Sequence, residues 1–585
     1  MRSNRREAGG HGRSARPGTH PTWLFSSLRG YRSQWLRHDA LAGLTVWAIL
    51  VPEALAYAAI AGVPPVTGLY AAPAALVLYA AFGSSRHLVV GPMAATAALS
   101  AAVVGELAPG GGARFTAMTA ALALSVGGLA LLAGLLRLGF VAGFVSEPVL
   151  KGFVVGLALT IIVGQLPKLL GIEGGSGDFF ERLWTLIGGL GSTSVLTAVV
   201  GFAALALVVV LKKVAPVVPG SLIAVALGIA AVAVLGLDDH GVAVVGDVET
   251  GLPSFGFPDV SLGDLGNLAS GSVGVMLVAF AEGLGAAKTY ASRDHYEIDA
   301  DRELIGLGAA GLGAGLSSGM VVNGSLSKTA VNRSAGARTQ LSGLFVAALA
   351  VITLLFLTGL FEELPEPVLA AVVIAALVEL VDIDYLMSLY RVHAGTPGQV
   401  YGVASRPDFT AAVAAMAGVM VFDTLPGLFI GIGVSLLLLL YRSSRPHISE
   451  LGLLPGDRYF ASLDRHPESR RIPAVVVLRV ESGIYFANTD RIRSRAREAA
   501  AREGTRAVVI DAETVPFIDV SGVRMLDELT DDLGDLGVRL LLARDVGQVR
   551  DVLRAAEAAP GLRRVYPTVR AAVESAEAGP GREPR

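Results

Sequence analysis

Between residues 39 and 441 the chain is a succession of apolar blocks, and no other feature limits its fold so strongly. A bilayer core about 30 Å thick is crossed by roughly 20 apolar residues in a helix, and the stretch divides into about fourteen such segments. Long ones lie at 41–61, 116–136, 193–211, 217–236, 271–290, 340–360 and 425–441. Others, near 91–106 and 323–336, are short or punctuated by glycine and polar residues. Inside hydrocarbon every backbone polar group needs an internal partner, so the spans must be helices, and irregular backbone is tolerated only against protein or a polar cavity. Residues 1–38 and 442–585 hold most of the arginines and carry acids at a higher density than 39–441, so two solvents are implied for one chain.

Lysine and arginine in short loops stay on the cytoplasmic side of a membrane. With the Arg-rich N-terminus inside, the connections carrying Arg86, Arg137, Lys212 with Lys213, Arg293 with Arg302, Arg333 with Arg338, Arg391 with Arg406, and Arg442 with Arg445 fall inside as well. The intervening connections fall outside; 237–270, with Asp238, Asp239, Asp247, Glu249, Asp259 and Asp264, has no lysine or arginine. An even number of spans returns the C-terminus to the cytoplasm, which reads as a multi-pass protein of the plasma membrane. Residues 1–38 read as a disordered cytoplasmic arm, because no short apolar run with a small-residue cleavage site follows them. The absence of cysteine excludes disulfides, thiolate metal sites and cysteine redox chemistry. No basic patch with interleaved aromatics points to nucleic acid.

The two halves, about 39–236 and 271–441, echo each other, and inverted repeats of this kind place transporter sites at their interface. "VPEALAYAAIAG" at 51–62 and "FAEGLGAAKTYA" at 280–291 each set one glutamate, Glu53 or Glu282, in an apolar helix among small residues. About 40 residues on, each half has an interrupted segment, "VVGPMAATAALS" at 89–100 and "VVNGSLSKTAVN" at 321–332. A helix that begins near the midplane aims unpaired N–H groups and its positive dipole end inward, which suits an anion. Pro92, beside Gly91, fits the first turn of such a helix because it lacks the N–H that would be orphaned there. Gly324, Ser325 and Ser327 would let an oxyanion approach backbone and hydroxyls, and Lys328 would add a fixed positive charge. Ordinary kinks at Gly91, Pro92 and Gly324 are the plainer alternative, and they leave the duplicated placement unaccounted for.

Ionised acids inside a bilayer are costly and usually face a polar cavity. Glu282, with Glu53 second, is the expected proton-coupling residue, its protonation offsetting anionic charge; a structural partnership of Glu282 with Lys288 or Lys328 is the alternative. Lys151, Lys168 and Lys288 are expected to snorkel to headgroups. The charged loop 292–306, His295 included, reads as solvated rather than as a metal site.

Past a serine-, proline- and glycine-rich linker at 442–457, residues 458–578 change to short β-branched runs alternating with amphipathic stretches. Strands are expected at 474–480, 484–486, 506–512 and 538–544, and helices at about 489–502, 521–534 and 545–556. This is a small α/β domain, followed by a disordered tail at 579–585. It has no phosphate loop, nucleophile elbow or catalytic cluster, and across the spans no nucleophile, base and orienting group assemble. An enzyme is not expected.

From about residue 35 to 575 the chain resembles the SulP family of sulfate permeases and related anion transporters. "VPEALAYAAIAGVPPVTGLYAA" at 51–72, "FGSSRHLVVGP" at 82–92, "ELIGLGAAGLGAGL" at 303–316 and "SLSKTAVNRSAGARTQLSG" at 325–343 are similar to family signatures in the family order. The tail resembles a STAS domain through "YFANTDRIRSR" at 485–495 and "VPFIDVSGVRML" at 515–526. The resemblance implies a polytopic α-helical fold of two inverted seven-helix repeats, with uracil-transporter-like core and gate domains, working as a homodimer by an elevator-like motion. It implies an anion held between helix starts at Met93, Ala94 and Ala95 and at Ser325, Leu326, Ser327 and Lys328. Met93 stands where many members have phenylalanine, and Lys328 where many have arginine. Glutamate at 282 points to proton coupling rather than sodium, with no other cofactor, and sulfate is the first expected substrate. Bicarbonate, C4-dicarboxylates, a passive anion channel and a membrane-anchored anion sensor acting through the tail are the rival expectations. Ser521 aligns with the serine phosphorylated in soluble STAS relatives, although a helix N-cap is its expected role here, and a cytoplasmic protein partner of the tail is expected.

Overall fold

A computed structural model describes residues 24–578, apart from 110, 145, 176, 216–217, 247, 249, 379, 395–401, 423, 457–458, 559–561 and 563–564. Residues 1–23 of the expected arm and the tail 579–585 lie outside the described residues, as do Asp247, Glu249 and the side chains of Arg391 and Arg406. The chain divides into two units, 1–435 and 436–585.

In the first unit α1 (Leu36–Ala61) and α2 (Val66–Phe82) lead into a four-residue strand, β1 (Val89–Pro92), and then α3 (Ala94–Leu107). Next come α4 (Gly112–Leu135), α5 (Glu147–Leu170), α6 (Phe179–Gly189), α7 (Val195–Val214) and α8 (Gly220–Leu235). The second half runs α9 (Leu262–Arg293), α10 (Ala300–Leu316), β2 (Val322–Ser325), α11 (Leu326–Ser334), α12 (Leu341–Phe356), α13 (Glu366–Val378), α14 (Ile383–Ala394), α15 (Gly402–Phe422) and α16 (Thr424–Ser444). Among the described residues six helices are long and apolar enough to cross a membrane, the first of them 33–61, with α4, α5, α7, α9 and α16. The remaining apolar helices are shorter. In α3 and α11 the strand makes up the length: β1 adds about 13 Å to an α3 about 21 Å long, which together match a bilayer core.

Small residues set the close packing. A Cβ on Gly127 of α4 would lie 2.5 Å from Leu312 N, and one on Gly308 of α10 2.5 Å from Leu131 N, so these helices touch backbone to backbone. The last part of the expected arm is folded: Phe25 N–H donates to Ala81 O of α2, and residues 36–38 already belong to α1. Val195, Val199, Phe202, Val210 and Val214 of α7 are exposed apolar side chains, which suits lipid rather than water. Lys151 and Lys168, expected to snorkel alone, pair with Asp382 at 3.0 Å and Glu366 at 3.6 Å.

The second unit is a six-stranded sheet in the order β4-β3-β5-β6-β7-β8. Its elements are β3 (Ile448–Leu453), β4 (Phe460–Ser462), β5 (Val475–Val480), α17 (Thr489–Ala500), β6 (Ala507–Asp511), α18 (Val520–Asp535), β7 (Arg539–Ala543), α19 (Gly547–Ala555), β8 (Val565–Tyr566) and α20 (Val569–Ala578). β5 to β8 pair in parallel, and β3 joins β5 and β4 antiparallel. The apolar runs of the central strands are covered on both faces, as parallel sheets require: Val476, Leu478 and Val480 pack with α17, α18 and α19, and Val475 and Val477 with α20. The stretch 442–457 is therefore no linker, since α16 runs to Ser444 and β3 begins at Ile448. The expected strand 484–486 is reduced to one bridge, Ile484 to Ile518. Ser521 does not cap α18: the Asp519 carboxylate accepts from Gly522 N–H at 2.7 Å, and Ser521 is exposed two residues on.

Candidate functional site

The two interrupted segments meet. β1 and β2 pair antiparallel, Val89 with Ser325, Val90 with Gly324, Gly91 with Asn323 and Pro92 with Val322. The ladder gives otherwise orphaned backbone groups partners within the membrane unit, and each strand passes straight into a helix. Because the pairing is antiparallel, α3 and α11 start from opposite ends of the ladder, about 10 Å apart along it. Lys328 spans that gap. Its Nζ reaches the Pro92 carbonyl at 3.4 Å and Met93 Sδ at 3.8 Å, and sits 5.1 Å from the centre of the Tyr57 ring.

Lys328 does not act as a lone positive charge. Its side chain is 1% exposed, and Nζ lies 2.6 Å from Glu53 Oε2 on α1. Taking two charges out of water is costly, and such a pair is stable only while both members are present. Glu53 Oε2 has no well-aligned hydrogen bond besides this Coulombic contact.

The helix starts differ in their caps. Ser325 accepts from Lys328 N–H and so satisfies one donor of α11, whereas Met93 at the start of α3 supplies no side-chain cap. The first N–H groups of α3 remain available to an anion. A cavity of about 140 Å³ adjoins them, lined by Glu53, Tyr57, Met93, Ala94, Ser327 and Lys328 together with residues of α7, α8 and α13. At about 30 Å³ per water, it has room for a small oxyanion. A larger cavity, about 850 Å³, is lined by the α1–α2 turn, α4 and residues between 248 and 259; among the described lining residues the charged one is Asp259, which disfavours anions.

Of the expected site residues, Glu53, Met93, Ala94, Ser327 and Lys328 line the smaller cavity, and Gly91, Pro92, Ala95, Gly324, Ser325, Leu326 and Glu282 are not among its described lining residues. Pro92 ends β1 instead of opening a helix. Gly324 does not leave space for an oxyanion: a Cβ there would lie 2.9 Å from both Gly283 Cα and Leu88 Cδ2, so its role is to let β2 approach α9. Glu282 accepts a 2.9 Å hydrogen bond from the Asn323 amide, whose Oδ1 in turn accepts from Gly324 N–H at 2.6 Å. It is tied to β2 by neutral groups rather than to Lys288 or Lys328.

Sequence reasoning missed the groups that hold the turn before β1. Glu303 at the start of α10 is fully buried and accepts from Tyr79 Oη at 2.8 Å, from Ser84 N–H at 2.8 Å and Ser84 Oγ at 2.7 Å, and from Ser85 N–H at 3.0 Å. Asp294 accepts a two-pronged bond from Arg333 at 2.7 and 2.8 Å and lies 3.6 Å from buried His87. The Arg333 bond holds the Asp294 carboxyl below its usual range, and burial pushes the His87 imidazole down against the pull of Asp294. The loop 292–306 is thus partly a clasp, not simply a solvated connection. Its signal was the pairing of "SSRH" with "RDHYEIDADRE", unreadable without the fold.

The chain matches the Sulfate permease family over residues 36–395 and the STAS domain over 466–572. It is 37% identical over 531 residues to "Probable sulfate transporter" of Mycobacterium tuberculosis, covering 90% of this chain and 93% of that one. It is 33% identical over 540 residues to the chloroplastic sulfate transporter 4.1 of Arabidopsis thaliana, covering 89% and 77% of the two chains. Among solved structures, murine Slc26a9, described as an anion transporter in the inward-facing state, superposes with a TM-score of 0.86 at 21% identity, over 98% of this chain and 97% of that one. The transmembrane domain of the cyanobacterial bicarbonate transporter BicA superposes with a TM-score of 0.58 at 22% identity, over 69% and 98%.

Proposed function

The chain belongs to the sulfate permease family, a family of multi-pass membrane transporters rather than enzymes, and on that premise we propose that it takes up sulfate together with protons. The observation that carries the reading is the cavity at the uncapped start of α3, with Lys328 held across the strand crossing. The names of the relatives favour sulfate within the class of small inorganic anions.

The cavity lining comes from two groups of helices, α1, α3 and α11 and α7, α8 and α13. An elevator-like motion is a displacement of the first group, anion included, past the second. Glu282 is the proposed proton carrier, because a carboxyl held by a neutral amide can gain a proton without breaking an ion pair. Glu53 is the second candidate, its protonation freeing Lys328 for the anion. The working protein is proposed to be a homodimer in the plasma membrane with both termini cytoplasmic and a STAS unit that meets a cytoplasmic protein.

Purified protein in liposomes, given labelled sulfate with and without an inward proton gradient and challenged by bicarbonate, fumarate, nitrate and chloride, tests this. Gradient-driven sulfate entry supports the reading. Uptake of bicarbonate or fumarate in its place reassigns the substrate, and entry indifferent to the gradient removes the coupling.

A further inference from the structure

The second unit begins inside a membrane helix. From Leu436 onward α16 belongs to it, and α16 is long and apolar enough to cross a bilayer. Tyr441 and Arg442 close the apolar run of that helix, and the Arg445 guanidinium lies 4.5 Å from the centre of the Tyr441 ring. Tyrosine and arginine at the end of a span sit at headgroup level, so the chain leaves the lipid close to Arg442.

The sequence then allows little distance. Arg445 to His447 alone join α16 to β3, a connection of no more than about 14 Å when fully extended. β3 is antiparallel to β5, and Ile448 lies opposite Val480, the last residue of β5. The edge of the sheet where the parallel strands end is therefore the edge beside the end of α16. A side-chain contact fixes the same arrangement: the Tyr485 hydroxyl, in the loop after β5, shares a hydrogen bond with Ser443 Oγ of α16. The loop after β6 is held alongside by the bridge of Ile484 to Ile518 and by Phe517, whose ring centre is 5.9 Å from that of Tyr485.

The exposed apolar side chains of the sheet collect on this edge. Phe486 is 70% exposed, Phe517 44% and Val520, the first residue of α18, 71%, with Val546 before α19 at 40%. On the opposite edge, among the described residues, Leu536 before β7 is the exposed large apolar side chain. The charge around the patch is mainly positive. Arg524, one turn after Val520 on the same face of α18, is exposed, as are Arg442, Arg445 and Arg491. Of the acids, Asp519 accepts from the Phe486 and Gly522 N–H groups, Glu481 from Ser449 Oγ, and Glu513 lies 2.8 Å from Arg544; Asp490 is exposed in the first turn of α17.

We propose that this edge of the second unit is a membrane-docking face, on which Phe486, Phe517 and Val520 enter the headgroup region of an anionic bilayer and the neighbouring arginines meet lipid phosphates. Aromatic side chains suit that depth, and anionic headgroups attract basic residues held close to the surface. The short connection to α16 keeps the patch near the point where the helix leaves the lipid. The inference is independent of the anion site.

The chain has no cysteine, so a nitroxide can be placed at one chosen position of the full-length protein. Val520→Cys and Leu536→Cys, each labelled in nanodiscs of phosphatidylglycerol and phosphatidylcholine, are probed by collision with oxygen, which concentrates in lipid, and with a water-soluble nickel chelate. At 520 oxygen is expected to collide more often than nickel, and at 536 the order reverses. Phe486→Glu added to Val520→Cys should move the 520 ratio toward that at 536, as should discs of phosphatidylcholine alone. Phe517→Ser serves the same comparison should the glutamate variant not elute as a single species. Nickel leading at 520 in the mixed discs overturns the proposal, because the patch then faces water. Exclusion of both relaxants from 520 overturns it as well, because protein then covers the patch. A 520 ratio equal in the two kinds of disc overturns the recognition of anionic lipid.

Discussion

Glu53 and Glu282 stand in echoing sequence contexts, each inside an apolar helix among alanines and glycines, yet the fold gives them opposite surroundings. Glu53 lies 2.6 Å from a buried ammonium and lines the cavity. Glu282 meets the neutral amide of Asn323, a residue of β2. An acid in a membrane unit is thus assigned by the group about 3 Å away more than by the hydropathy around it. A carboxylate locked to a lysine holds structure and sets charge, whereas one bonded only to an amide is free to change protonation.

The comparison breaks most readily at the ion pair. Glu53→Ala strands the Lys328 ammonium in a buried site and is expected to destabilise the first unit by about 3–5 kcal/mol, with loss of anion uptake. Thermal melting in detergent measures the first effect, and a melting point equal to wild type would show that the pair is not held as a buried unit. Glu282→Gln should behave oppositely: its amide oxygen still accepts from Asn323, so stability should move by no more than about 1 kcal/mol. Uptake in proteoliposomes should then lose its dependence on the proton gradient. Equal gradient dependence in wild type and variant would instead transfer the coupling role to Glu53.

Smaller effects sharpen the contrast between the two helix starts. Ser325→Ala removes the side-chain cap of α11 and should cost about 1 kcal/mol, while Met93→Ala, at the uncapped start of α3, should leave helix stability nearly unchanged; paired melting curves compare them. The smallest expected effect concerns a third acid, in the second unit. Glu450 on β3 lies 2.8 Å from Arg502, 3.2 Å from Arg471 and 3.5 Å from Arg495. Burial pushes its carboxyl up, but the Arg502 bond and the three guanidinium charges outweigh burial and hold it below the ordinary value. A depressed carboxyl contributes stability that is present above its unfolded pKa, about 4.3, and is lost as pH falls through the folded value. Glu450→Gln should therefore lower the melting temperature of the second unit slightly at neutral pH, with the gap closing below about pH 4.

Much of this was legible in the residues. Long apolar blocks marked the membrane unit, and β-branched runs located β5, β6 and β7 to within a residue or two. The segments at 89–100 and 321–332 stood out by their glycine and polar punctuation, and both proved to be a strand followed by a helix. The strands β4 and β8, three and two residues long, were not legible, because strands so short carry too little periodicity; β3, with Ser449, Glu450 and Gly452 among its six residues, lacks the apolar run that marked β5, β6 and β7. The partners of Glu303 and Asp294 were hidden because Tyr79, Ser84 and His87 lie more than 200 residues away.

By itself the sequence determined which parts of the chain belong in lipid, where helices had to be interrupted, and which residue types were available to an anion. Those follow from composition and local pattern, which act over one or two turns of helix. Only the tertiary structure decided that Lys328 is shared with Glu53, that Gly324 admits a helix rather than an anion, that Glu282 meets Asn323 and that Lys212 lines the cavity. Charge and close packing act over a few ångströms in space, and the chain brings those neighbours together only when α1, α7, α9 and the two strands have packed.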